Sequence, residues 1–260
     1  MLSRNGVKWN RSETILALEL YCITPFNKIS NNNTEIIGLA NLLGRTVGSV
    51  ILKMFNLAHN DPELQKRNIK AMANGSKLDK EIWDEFWNNW EELAFQAETI
   101  KSDMRSTELS KFIESEAVLE YPEGLYIDNI VKTRIGQEFF RASVLSAYSN
   151  RCCITGIMMP ELLIASHIKP WKVSDVKTER TNPKNGLCLN ALHDKAFDRG
   201  LITLDKNYNI VLSHKAESMK MDTETKAWFM SYSDEKINLP EKFLPGKEFI
   251  EYHNDIVFLR

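Results

Sequence analysis

Between Arg151 and Ser213 the chain alternates short apolar runs with polar loops, and this order constrains the fold more than any other stretch. Leu162-Leu163-Ile164-Ala165 is too short for a helix of its own and reads as a buried strand delivering Ser166 and His167 at its end. A polar loop follows, then Pro183-Lys184-Asn185-Gly186, which taken alone is a turn. The apolar run Leu187-Cys188-Leu189 comes next, and His193-Asp194 then lies on a short helix closed by Gly200. Leu201–Leu204 and Ile210–Leu212 form a hairpin around Asp205–Asn209.

The first hundred residues read differently. Asn10–Tyr21 has apolar residues at Ile15, Leu16, Leu18 and Leu20 and is predicted to be an amphipathic helix capped by Ser12. Residues 34–57 hold two helices, capped by Thr34 and Thr46 and joined at Gly44. Ala40, Gly44 and Val50 have helix-turn-helix spacing: a small residue at the crossing, a positive φ in the turn, an apolar plug between the helices. Its second helix would carry Arg45, Ser49, Lys53 and Asn56 outward, toward phosphates and base edges. The competing reading is a helical hairpin that never touches nucleic acid.

Leu78–Glu98 is predicted to be one helix with Ile82, Trp83, Phe86, Trp90, Leu93 and Ala94 on its core stripe. Trp87 off that stripe could stack on a nucleobase, although aromatics at helical spacing usually pack cores. Residues 99–125, with mixed charge and Pro122-Glu-Gly, are expected to be the linker, and the acidic tract Glu114–Glu120 a solvated helix. Lys247–His253 is expected to be a helix packing on the preceding region.

A net charge of −2 argues against coating nucleic acid by bulk charge, but local patches decide phosphate contacts. Ten Lys and Arg side chains from Arg134 to Arg199 gather in the central region, while acidic residues dominate elsewhere. No apolar run at the N-terminus resembles a signal peptide and none reaches membrane-spanning length, so a cytoplasmic protein with no membrane partner is expected. The four cysteines make no CxxC pair and are expected to be reduced.

The motifs SHIKPW (166–171), NPKNGL (182–187) and LHDKAFDRG (192–200) resemble the HNH nucleases, whose core is the ββα-metal fold. Arg134 through Tyr148 resembles the lead-in helix of bacterial members. The resemblance implies an α+β chain: an all-α helix-turn-helix-like recognition domain (1–98), the linker, and an HNH domain with flanking helices (126–260, core 151–213). It implies His167 as general base, Asn185 as the residue that orients it or holds its loop, and His193 as a metal ligand. Many members have an aspartate before the base histidine. Here that position is Ser166, a poor ligand for a hard cation, so Ser166, His193 and Asp198 form the candidate metal set, with Asp194 as a further carboxylate. Many members also have two CxxC zinc knuckles, which this chain lacks. Lys169, Lys172, Arg180 and Lys184 would hold flanking phosphates.

The whole reads as a metal-dependent DNA endonuclease using Mg2+, Mn2+ or another transition metal on double-stranded DNA. It would act as a homodimer and as a restriction enzyme, with dependence on 5-methyl- or 5-hydroxymethylcytosine as one form. The competing reading is a DNA-binding regulator with a non-catalytic HNH domain, kept open by Ser166.

Overall fold

Asn10 rather than Ser12 begins the first helix. Its Oδ1 accepts from the Glu13 N–H and the Glu13 carboxylate accepts from the Asn10 N–H, a reciprocal cap that leaves Ser12 inside the first turn. The structure is a computed structural model and describes residues 6–66, 75–105 and 125–260. By contact it divides into two units: residues through Ser143 together with 176–182, and residues 144–175 with 183–260. The division falls inside a helix, whereas the sequence reading drew its boundary at 125/126.

In the first unit, α1 (Arg11–Ile23) is buried nearly all round and packs against α2 (Thr34–Leu43), α3 (Val47–Ala58), α5 (Lys77–Phe86) and α6 (Trp90–Arg105), with the short α4 (Pro62–Lys66) between α3 and α5. Asn33, not Thr34, caps α2 by accepting from the Glu35 and Ile36 N–H groups. Gly44 takes φ 64° in the turn, Thr46 caps α3, and α2 and α3 are bent by 104°. Ala40 and Val50 are buried, as the spacing requires. Among the described residues no single helix is long and apolar enough to cross a membrane.

The helix predicted over 78–98 is two helices. Trp87 leaves the helical region and Asn88 has φ 66°, so α5 ends and α6 restarts at Trp90. Trp87 stacks on Trp83 at 5.2 Å and meets Trp90 edge-on at 5.4 Å, a cluster that bridges the break. Residues 99–105 of the expected linker belong to α6, and residue 125 opens α7 (Leu125–Ala147). The rest of that linker and the acidic tract Glu114–Glu120 lie outside the described residues.

In the second unit, β1 (Leu163–His167) pairs antiparallel with β2 (Gly186–Asn190), setting His167 opposite Gly186. The helix α8 (Ala191–Asp198) starts directly off β2 and packs on both strands. β3 (Ile202–Leu204) and β4 (Ile210–Leu212) form the expected hairpin, its turn held by Asp205 accepting from the Asn207 and Asn209 N–H groups. Three helices follow: α9 (His214–Ser218), α10 (Thr223–Met230) and α11 (Lys247–Tyr252), the last running into a π-helical turn, His253–Val257.

That turn locks the end of α8. His253 stacks on Phe197 at 3.8 Å, and its Nε2–H donates to the Phe197 carbonyl at 3.1 Å. Gly200 must be glycine for two reasons. Its φ is 65°, and a Cβ there would sit 2.1 Å from the Val257 carbonyl oxygen.

Candidate active site

His167 stands at the last position of β1, half-buried, with its ring edge-on to Trp171 at 5.4 Å. The loop that follows is fixed by Asn185, which is fully buried. Lys169 N–H donates to Asn185 Oδ1 at 2.7 Å, and Asn185 Nδ2 donates back to the Lys169 carbonyl at 3.1 Å. The Asn185 carbonyl accepts from the Ile168 N–H at 2.9 Å, and Ser174 Oγ donates to the Lys169 carbonyl at 3.0 Å. The residues immediately after His167 are therefore held on both sides, and the imidazole leaves a rigid strand end.

Asn190 organises the other half. As N-cap of α8, its Oδ1 accepts from the Leu192 and His193 N–H groups, both at 3.0 Å. That fixes which end of the amide is nitrogen, and Nδ2 then lies 2.9 Å from His193 Nδ1. Nδ1 also lies 3.3 Å from Asn190 Oδ1, so the amide can serve either tautomer of the ring: Nδ2 donates to a bare Nδ1, and Oδ1 accepts from an Nδ1–H. His193 is only 2% exposed, walled by Trp228, Phe229 and Tyr232 at 5.8–6.2 Å between ring centres. Burial lowers its pKa from the ordinary 6.5, with the Trp228 main chain opposing.

Of the expected metal set, His193 has its Nε2 buried without a hydrogen-bond partner among the described residues. Ser166 Oγ is likewise buried and unpartnered, and successive side chains of a strand point to opposite faces, so it turns inward where His167 turns out. Asp198 ends α8 on the exposed side. Its pKa is raised by burial first and by Asp194, one helical turn earlier, second. Among the described residues no three His, Cys, Asp or Glu side chains form a group able to hold a metal ion. The carboxylates Asp194 and Asp198 are the hard oxygen donors that α8 presents.

The basic residues separate. Lys172 is exposed, Lys169 lies over the Tyr252 ring at 5.3 Å, and Lys184 is half-buried with its carbonyl accepting from the Gly246 N–H. Arg180 belongs to the 176–182 segment of the first unit, near enough to Glu91 to lower that carboxyl's pKa against the larger effect of burial.

The outward expectation for the second helix is corrected at two positions, Arg45 in the turn before α3 and Lys53 within it. The Arg45 guanidinium is buried against Glu13, with N–O distances of 2.8 and 3.2 Å, and also donates to the Val7 and Lys8 carbonyls. Lys53 is buried on Asp79, and both cations lie over the Trp9 ring. Ser49 and Asn56 are half-buried, and Asn56 Oδ1 is buried without a partner among the described residues. Asn190 and Trp171 went unremarked as site residues, although an asparagine between a strand and a helix is an N-cap signal.

A two-stranded antiparallel sheet that ends on a histidine, held by a buried asparagine and followed directly by a helix, is a ββα unit. Residues 152–205 match the family described as HNH endonuclease, which points to nuclease activity on DNA. Such nucleases typically use a divalent metal ion. A search of curated proteins finds no match to the chain.

Proposed function

We propose that the protein is a DNA endonuclease of host defence, a restriction enzyme whose ββα unit cuts the strand and whose helical unit contributes to DNA binding. The observation that carries this reading is His167 at a strand end whose following loop is pinned by Asn185, inside the segment matching the nuclease family. His167 acts as general base. It takes a proton from water as the oxygen bonds to phosphorus, the bond to the 3′ oxygen breaks, and solvent protonates the leaving oxygen. Products then carry 5′-phosphate and 3′-hydroxyl ends. Lys172, Lys169 and Lys184 supply positive charge to flanking phosphates. Mg2+, Mn2+ or a later transition metal is the proposed cofactor. The enzyme is cytoplasmic and works as a homodimer, because one ββα site cuts one strand at a time.

Sparing of the host's own DNA is explained by dependence on modified cytosine. The test compares plain duplex with duplex carrying 5-methyl- or 5-hydroxymethylcytosine, in each metal. Cleavage of modified duplex alone supports the restriction role, and equal cleavage of plain duplex removes the modification dependence. The second reading, a DNA-binding regulator, rests on Ser166, a neutral hydroxyl where many family members have a carboxylate. Binding without cleavage in every metal would favour it.

A further inference from the structure

Just past His167 the chain makes a tight 3-10 turn, Trp171–Val173, whose tip is apolar and faces solvent. Val173 is 53% exposed, Pro170 is exposed and Trp171 is half-buried. Turn tips are ordinarily filled by Gly, Asn, Asp or Ser, and here proline, tryptophan and valine make an apolar point instead. The turn is rigid. The Val173 and Ser174 N–H groups donate to the Pro170 carbonyl at 3.1 and 3.2 Å. Ser174 is buried, and its Oγ lies 3.0 Å from both the Lys169 and the Pro170 carbonyl oxygens. Asn185 Nδ2 donates to that Oγ at 3.4 Å, so the amide that fixes the loop after the histidine also fixes the foot of the turn. Proline has a fixed φ and β-branched valine is stiff at χ1, so the tip has little freedom left to lose on binding.

Charge selects the class of partner. From Ile168 to Asp175 the ionisable side chains are Lys169, Lys172 and Asp175, so the turn is net positive. Lys172 is exposed beside the tip, and Lys169 lies over the Tyr252 ring. An apolar point with cationic flanks suits a duplex, which has phosphates outside and stacked base faces within. Position agrees. The Trp171 ring stands 5.4 Å from the His167 ring. Base pairs rise ~3.4 Å per step, so a phosphate at His167 places the tip within about two base steps of the scissile bond.

We propose that the Trp171–Val173 turn is a wedge. Val173 enters between neighbouring base pairs beside the scissile phosphate, partly unstacking and bending the duplex, while Lys172 holds the adjacent phosphate. Unstacking is easiest at pyrimidine–purine steps such as TA and CA/TG. The wedge therefore makes cutting depend on sequence at a step that no side chain reads by hydrogen bonding. The proposal rests on the nuclease reading in one respect, that the scissile phosphate sits at His167.

The test uses non-cleavable duplexes carrying the fluorescent base analogue 2-aminopurine at successive positions, with donor and acceptor dyes at the ends to report bending. Wild type, Val173→Ser and Lys172→Gln are compared at saturating protein. Val173 is exposed, so Val173→Ser should fold as the wild type does, which circular dichroism checks. Wild type should raise the fluorescence at one or two adjacent steps and shorten the end-to-end distance. Val173→Ser should lose both signals. Lys172→Gln should keep both at saturation, while the slope of its log affinity against log salt falls by about one. On cleavable duplexes that differ only at the unstacked step, wild type should nick a TA duplex ~10-fold faster than an A-tract duplex, and Val173→Ser should remove the difference. A straight, fully stacked duplex in the saturated wild-type complex overturns the proposal, as does a Val173→Ser complex that unstacks and bends like the wild type. So does a wild type that binds no duplex. Unstacking and bending are read on bound, uncut DNA, so a wild type that unstacks but never nicks upholds the wedge and counts against the nuclease reading alone.

Discussion

Asn185 and Lys169, sixteen residues apart in sequence, exchange two hydrogen bonds, side-chain amide to main-chain peptide, with Lys169 two residues past His167. This pairing ties the end of β1 to the start of β2, so the position of His167 depends on a buried amide.

Asn185→Ala should remove the side-chain partner of the Lys169 N–H and leave the Lys169 carbonyl to Ser174 Oγ, costing about 1–3 kcal/mol of stability. Asn185→Asp keeps the acceptor but loses the donor, and should lower single-turnover cleavage at least tenfold with little change in DNA affinity. Urea titration and a nicking assay on the same preparations check this. Wild-type cleavage by either variant would separate the loop from the chemistry.

The buried pair Arg45–Glu13 makes a contrasting prediction. Arg45→Met leaves a carboxylate at 1% exposure with its cation removed, a loss of about 3–5 kcal/mol. Arg45→Met/Glu13→Gln should recover much of that. If Arg45 does not contact DNA, the double variant keeps the wild-type dependence of log affinity on log salt. A fall of about one in that slope would mean a lost phosphate contact.

His253 sets a pH dependence. Burial lowers its pKa from 6.5 to about 4, with the Phe197 carbonyl partly opposing. The unfolded chain binds this proton at higher pH than the folded chain does. The contribution is therefore fully present above about pH 6.5 and lost as pH falls toward 4, about 3 kcal/mol over the whole range. His253→Gln should flatten that part of the urea-stability profile. A variant profile parallel to wild type between pH 7 and 4.5 contradicts the assignment.

His193 should report its tautomer directly. Nitrogen NMR at neutral pH should show an unprotonated Nδ1 and a protonated Nε2, the state in which the shorter, 2.9 Å contact to Asn190 Nδ2 rather than the 3.3 Å contact to Oδ1 is the hydrogen bond. Asn190→Asp reverses the partner's character and should shift the ring toward Nδ1–H. A change at Nε2 on adding Mg2+ or Mn2+ would identify His193 as a metal ligand.

The strand, loop, strand and helix of the ββα unit were readable because their signals are local: a four-residue apolar run, an Asn-Gly turn, a glycine that closes a helix. The same holds for Gly44 and for the hairpin around Asp205. Arg45 and Lys53 were not readable, since a helical stripe separates polar from apolar residues but cannot reveal carboxylates 32 and 26 positions away. The break at Trp87 was hidden because α5 and α6 share one continuous aromatic stripe, bridged by the tryptophan cluster. The burial of His193 was not readable from its own helix, because its aromatic walls are Trp228 and Phe229 on α10, a helix with no strong periodicity, and Tyr232 just beyond it.

The central claim is that His167 accepts the proton of the attacking water. The measurement is single-turnover nicking of a supercoiled plasmid by wild type and His167→Ala, from pH 5.5 to 9 with the active metal. The account predicts a loss of at least ~10²-fold in His167→Ala, as expected for removing a general base, with DNA affinity unchanged and the acid limb of the wild-type profile abolished. Cleavage by His167→Ala at wild-type rate with the same profile would contradict it.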